Sequence, residues 1–153
     1  MTETKQNKDC IVERLTNGPK HHLFGFHDLK ISNKTGNKYL SLEVDTMNRP
    51  PLPGELFGVG YVQDAEFVKI GETTALNYPQ GARQQWVADT NHFTVNNRVG
   101  DVWGCDLYDA DTNKLMERYE ATAHAVTKDG RYALGLDYAR LHRLGGYGYT
   151  GVT

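Results

Sequence analysis

The chain has 153 residues, a length that suits one domain. Hydrophobic residues make up 39% and charged residues 24%, with a formal net charge of −2, which excludes collagen-like, disulfide-scaffold and strongly disordered classes and argues against a general polyanion binder. No run of 18 apolar residues occurs, so no transmembrane helix is expected, and the polar first ten residues carry no secretory signal.

Residues 1–20 read as a polar leader, with a short strand at 10–15 and a turn at Asn17, Gly18 and Pro19. Strands are expected at 21–26, 38–44, 57–62 and 66–70. The loop 48–54 holds three prolines, which fix φ and remove backbone donors. A second set of strands covers 84–87, 92–96, 102–108 and 115–119, with turns at 88–91, 97–100 and 109–113. A third round begins at 123–126, turns at 128–130 and runs through 131–137, and the Gly-rich 145–151 reads as loop.

Short strands with turns every 8–12 residues define an all-β chain. Tyr39, Phe93 and Tyr132 align at the start of the second strand of each round, 54 and 39 residues apart. Four strands in roughly 40–50 residues is the period of a β-propeller blade. Residues 21–153 therefore read as about two and a half four-stranded antiparallel blades, an incomplete propeller; a β-sandwich is the competing fold. Such a stack leaves an unpaired edge near Leu134, so remaining blades or an oligomer are expected to cover it.

Three stretches carry a resemblance: 78–86 (Tyr-Pro-Gln-Gly-Ala-Arg-Gln-Gln-Trp), 48–55 (Asn-Arg-Pro-Pro-Leu-Pro-Gly-Glu) and 128–143, which ends in Ala-Arg-Leu-His-Arg. They resemble the N-terminal portion of an uncharacterised bacterial β-propeller family and are distantly similar to the oligogalacturonate lyase and TolB-like propellers. The resemblance implies a propeller fold and a role near carbohydrate. If lyase-like, it also implies a divalent metal such as manganese, held by His and Gln.

Inner strands of a propeller line its channel. His27, Asp28, Gln80, Gln84 and His124 fall at or near the expected inner strands, where imidazole and amide groups can bind a sugar acid or a metal. Arg83 stands beside Gln84, and Arg140 lies near His142; guanidinium forks suit carboxylates such as those of uronic acids. Asp109, Asp111, Asn113 and Glu120 match calcium-loop spacing, but Lys114 stands where that loop needs Gly, so a hairpin turn is expected. Cys10 and Cys105 belong to no Cys-x-x-Cys pair and read as reduced thiols of a cytoplasmic protein.

The residues thus point to a non-catalytic binding module for a carbohydrate or protein partner, with no nucleic acid and no membrane. No metal site or cofactor is assigned to it. The alternative is a metal-assisted polysaccharide lyase of the oligogalacturonate type, or a fragment of one; a purely structural role is the third reading.

Overall fold

The computed structural model describes residues 4–7, 10–45 and 47–152. A hairpin of β1 (Thr4–Asn7) and β2 (Cys10–Glu13) precedes the main body. The first four-stranded sheet runs β3 (His21–Leu23), β4 (Tyr39–Val44), β5 (Phe57–Gln63), β6 (Glu66–Thr73). The second runs β7 (Gln85–Trp86), β8 (His92–Val99), β9 (Val102–Asp109), β10 (Lys114–Tyr119). A two-stranded sheet of β11 (Ala125–Val126) and β12 (Ala133–Leu134) follows, then helix α1 (Tyr138–Gly145). Each sheet is an antiparallel meander whose spatial order is its chain order. The all-β expectation holds. Among the described residues no helix is long and apolar enough to cross a membrane.

The apolar patterns explain the packing. In β4, four of six residues (Leu40, Ser41, Leu42 and Val44) are buried, and β5 is buried along Phe57 to Val62. Continuous burial means both faces of this sheet centre are covered, so these strands do not alternate in and out. Leu40, Leu42, Val44, Phe57 and Val59 meet Phe93, Val95, Trp103 and Tyr108 of the second sheet in one core. Tyr138 and Tyr149, from the C-terminal segment, close it. Gly60 is required inside β5: a Cβ there would lie 1.9 Å from the Val68 carbonyl oxygen. By contrast β10, at the open edge of the second sheet, is exposed along its whole length.

One turn recurs three times with the same hydrogen bonds. Asn33 N–H donates to the Lys38 carbonyl (2.9 Å) and Gly36 N–H to Asn33 (3.2 Å). Val87 donates to His92 (2.9 Å) and Thr90 to Val87 (3.3 Å); Thr127 donates to Tyr132 (2.9 Å) and Gly130 to Thr127 (2.8 Å). Asn33, Val87 and Thr127 stand 54 and 40 residues apart, and each turn enters the second strand of its sheet. Tyr39 and Phe93 are therefore true equivalents. The third equivalent is Ala133, not Tyr132, which sits one residue too early.

Expected boundaries move: the strand at 66–70 runs on to Thr73, the one at 131–137 shrinks to Ala133–Leu134, and three further shifts have a local cause. β3 stops at Leu23 because the chain then loops out through residues 24–31, closed by Leu29 N–H on Phe26 (3.0 Å), and rejoins the sheet at the Ser32–Tyr39 bridge. β8 continues through Asn97 and Arg98, expected as a turn; the turn falls at Gly100, whose φ of 62° suits glycine. Residues 138–145, to which the sequence reading assigns no element before the loop at 145–151, form α1. The Asp137 carboxylate accepts from Arg140 N–H, His142 and Arg143 lie in the last turn, and left-handed Gly146 ends the helix.

Candidate functional site

The first strands of the three sheets converge on Arg83. Gly81 (φ 61°) and Arg83 (φ 56°) both take left-handed backbone, so the chain doubles back just before β7. The Arg83 side chain is 1% exposed. Its Nη1 and Nη2 donate to the two Asp28 carboxylate oxygens at 3.1 and 3.0 Å. Nε and Nη2 also donate to the His124 carbonyl, at 3.0 and 2.5 Å. Asp28 belongs to the loop leaving β3, and His124 precedes β11. One guanidinium thus bridges all three sheets in a bidentate geometry that lysine cannot reproduce. The Arg83 hydrogen bonds hold the Asp28 carboxyl below the usual carboxylate range, partly opposed by burial.

Two glutamines complete the joint. Gln84 Nε2 donates to the Leu23 carbonyl (3.2 Å), and its Oε1 accepts from Ala82 N–H (3.0 Å). Gln85 Oε1 accepts from Val126 N–H (2.9 Å), while its Nε2 donates to the carbonyls of Arg83 and Ala123. Their amides substitute for backbone pairing between first strands that are too far apart to share a ladder.

Tyrosines cover the other side of His124. His124 Nδ1 lies 2.9 Å from the Tyr138 hydroxyl. Burial, and then the Arg83 charge, lower the His124 pKa, so the ring is favoured neutral and can accept the Tyr138 proton at Nδ1. Tyr138 stacks on Tyr149 with centroids 4.4 Å apart, and Tyr147 packs against both. Burial raises the pKa of all three phenols, which stay protonated. Tyr147 donates its hydroxyl to Gln80 Oε1 at 2.7 Å, and Asn77 Nδ2 donates to the Tyr147 carbonyl at 2.5 Å.

Tyr147 also walls a groove. This groove, about 420 Å³, runs between the Pro-rich loop and the Gly146–Gly148 segment. Arg49, Pro50, Tyr78, Pro79, Asn77 and Tyr147 are among its lining residues. Arg49 is fixed by a bidentate pair with Glu55 at 2.8 and 2.6 Å, so the groove carries little net charge. Glu55 also accepts from Leu52 N–H, which pins the Pro-rich loop.

The expected site residues separate into three groups. Asp28, Arg83 and His124 come together, and Gln80 joins them through Tyr147. Gln84 is a buried strut. His27, Arg140 and His142 lie elsewhere: the exposed His27 ring packs on Phe26 at 4.0 Å, Arg140 is exposed on α1, and His142 Nδ1 accepts from Gly148 N–H at 3.1 Å. The divalent metal that a lyase would need does not fit these residues, because the imidazoles of His27, His124 and His142 face different partners. Among the described residues no three His, Cys, Asp or Glu side chains form a metal-holding group. Arg83, proposed from sequence as a carboxylate fork, already spends its donors on Asp28 and His124.

Sequence reasoning missed Tyr138, Tyr147, Tyr149 and Asn77. The signal available was the alternation of Tyr and Gly at 145–149, which lets bulky rings enter a crowded joint: a Cβ on Gly148 (φ 109°) would sit 2.5 Å from the Leu76 carbonyl oxygen. The Asp109–Asn113 segment is a hairpin turn, as expected. Asp109 accepts from Asp111 N–H and the Thr112 hydroxyl, and Tyr61 donates to Asn113 at 2.8 Å. A larger cleft of about 810 Å³ between β6 and β8–β10 is lined by Lys69, Glu72, Arg98 and Arg118, whose charges are paired with Glu72, Asp101 and Asp106.

No protein-family model, curated protein or solved structure matches this chain.

Proposed function

We propose that the chain is part of a β-propeller whose function is non-catalytic binding of carbohydrate, with the Tyr78–Tyr147 groove as the site. The blade reading is supported by successive four-stranded meanders, by the turn repeated at Asn33, Val87 and Thr127, and by first strands drawn to one hub at Arg83. On this reading the open edge of β12 requires further strands, from additional blades or from another copy.

The observation that carries the binding role is the groove itself. It offers tyrosine rings and proline faces for the apolar side of a sugar, with Asn48, Asn77 and Tyr hydroxyls around them. Both nearby arginines are already neutralised by Glu55 and Asp28, so recognition rests chiefly on ring faces rather than on an arginine–carboxylate pair. The divergent imidazoles and the saturated Arg83 favour binding over a lyase reaction.

Calorimetric titration of the folded chain with cellotriose, maltotriose and trigalacturonate tests this. Binding of a neutral trisaccharide is expected, weakened about tenfold by Tyr78→Ala, a loss of about 1.4 kcal/mol. No heat from any of the three at millimolar concentration would refute the carbohydrate reading. An unsaturated, ultraviolet-absorbing product from trigalacturonate with added manganese would instead establish the lyase.

A further inference from the structure

The two-stranded sheet differs from its neighbours in one respect: it has two strands where they have four. Its outer strand, β12, presents an open edge. On the inner side, Thr127 N–H donates to the Tyr132 carbonyl (2.9 Å) and His124 N–H to the Leu134 carbonyl (2.7 Å). Strand geometry alternates the direction of successive backbone groups, so those of Ala133 and Gly135 face outward. Tyr132 is 66%, Leu134 62% and Leu136 38% exposed, and at a spacing of two they share one face. Three exposed apolar side chains, beside backbone groups that no strand pairs among the described residues, form a template for strand pairing.

We infer that this edge pairs with the same edge of a second copy of the chain, antiparallel and centred on Leu134. The register follows from charge and from backbone direction together. With Leu134 opposite its symmetry mate, Arg131 lies opposite Asp137 of the second copy, and Asp137 opposite Arg131. Both residues are exposed. The same register sets Tyr132 against Leu136 on the apolar face, and Ala133 against Gly135. Ala133 and Gly135 are the residues whose outward N–H and C=O groups then exchange hydrogen bonds, so Leu134 sits at a non-hydrogen-bonded position on the two-fold axis. The product is a four-stranded antiparallel sheet, ordered β11, β12, then β12 and β11 of the second copy. Its strand number equals that of the two complete sheets.

This inference does not depend on the carbohydrate reading, and its test reads association alone. Sedimentation equilibrium of the full chain should give twice the 17.2 kDa chain mass, and Arg131→Glu, which faces Glu with Asp, should shift the midpoint of association to at least tenfold higher concentration. The register is tested by crosslinking in a Cys10→Ser background. Leu134→Cys should oxidise to a covalent dimer, because directly opposed residues at such a position have Cα atoms about 4.5 Å apart, within disulfide reach. Tyr132→Cys alone and Leu136→Cys alone should not, since each lies about 14 Å along the strand from its own symmetry mate; an equal mixture of the two should. Circular dichroism matching the parent establishes that each variant is folded. A chain that stays monomeric at several hundred micromolar, with Leu134→Cys remaining a thiol under oxidation, overturns the proposal and leaves the edge to a different strand. A dimer that crosslinks equally through all three positions overturns the register and with it the Arg131–Asp137 pairing.

Discussion

Arg83 and Asp28, 55 residues apart in the chain, meet through two parallel hydrogen bonds of 3.1 and 3.0 Å. The guanidinium is buried and the carboxylate half in water, with 1% and 44% of the side chain exposed. The pair therefore does not resemble a surface salt bridge, whose removal is nearly neutral. Removing the anion leaves a buried cation with only the His124 carbonyl. Asp28→Asn should destabilise the fold by about 2 kcal/mol, below the 3–5 expected for a fully buried pair because Asp28 is partly hydrated. Arg83→Met combined with Asp28→Asn should cost less than the sum of the two single changes. A double-mutant cycle by urea denaturation measures the coupling.

Acid should loosen the same joint in two stages. Burial and the Arg83 charge lower the His124 pKa from 6.5, so the unfolded state binds this proton more readily than the folded state. The stability that His124 contributes is full above pH 6.5 and falls as pH drops below it. Asp28 is lowered from 3.8, so its contribution is present above that value and is lost as pH falls through the folded-state pKa. Thermal unfolding followed from pH 8 to 5 should show a decline that His124→Gln reduces. A His124→Gln profile parallel to the parent would show that this proton is not linked to folding.

The two thiols should react very differently. Cys10 is exposed, whereas Cys105 is buried beside Asp106 and its thiol is pushed up to about 11, by burial first and the Asp106 charge second. At pH 7.5 a maleimide should label one thiol per native chain and the second only after unfolding. Intact-mass spectrometry counts the labels.

Gly60→Ala should be among the most damaging single-atom additions. The new Cβ would meet the Val68 carbonyl oxygen at 1.9 Å, so β5 and the edge strand β6 would have to part. A loss of about 3 kcal/mol or more is expected, at the upper end of overpacking costs. Gly36→Ala meets no atom within 4 Å but must hold φ at 74°, so its cost should be about 1 kcal/mol from backbone strain alone. Chemical denaturation of both variants separates packing from strain.

The strands were legible because their chemistry is local. Alternating apolar residues at 38–44 and turn residues such as Lys128, Asp129 and Gly130 act within a few positions, and β4 and the third turn lie where these patterns place them. Tyr132 shares the aromatic ring of Tyr39 and Phe93, but the turn's hydrogen bonds, which no residue type reveals, place Ala133 at the equivalent position. Helix α1 is signalled by Asp137 before it and Gly146 after it, but eight residues are too few to show a helical apolar period. The site was less legible because it is assembled at long range. Asp28 and Arg83 could be named from residue type, yet their direct pairing could not, and that pairing changes Arg83 from a ligand fork into a structural hub. Tyr147 reaches Gln80 across 67 residues, a contact that no local pattern encodes.

The most direct test of the account is backbone-amide NMR of the folded chain during titration with a neutral trisaccharide. The account predicts saturable shifts concentrated at Asn77, Tyr78, Gln80, Tyr147 and Gly148, with β10 and the 127–132 turn unmoved. Saturable shifts centred on Asp28 and His27 with the groove silent, or no saturable shifts at all, would contradict it.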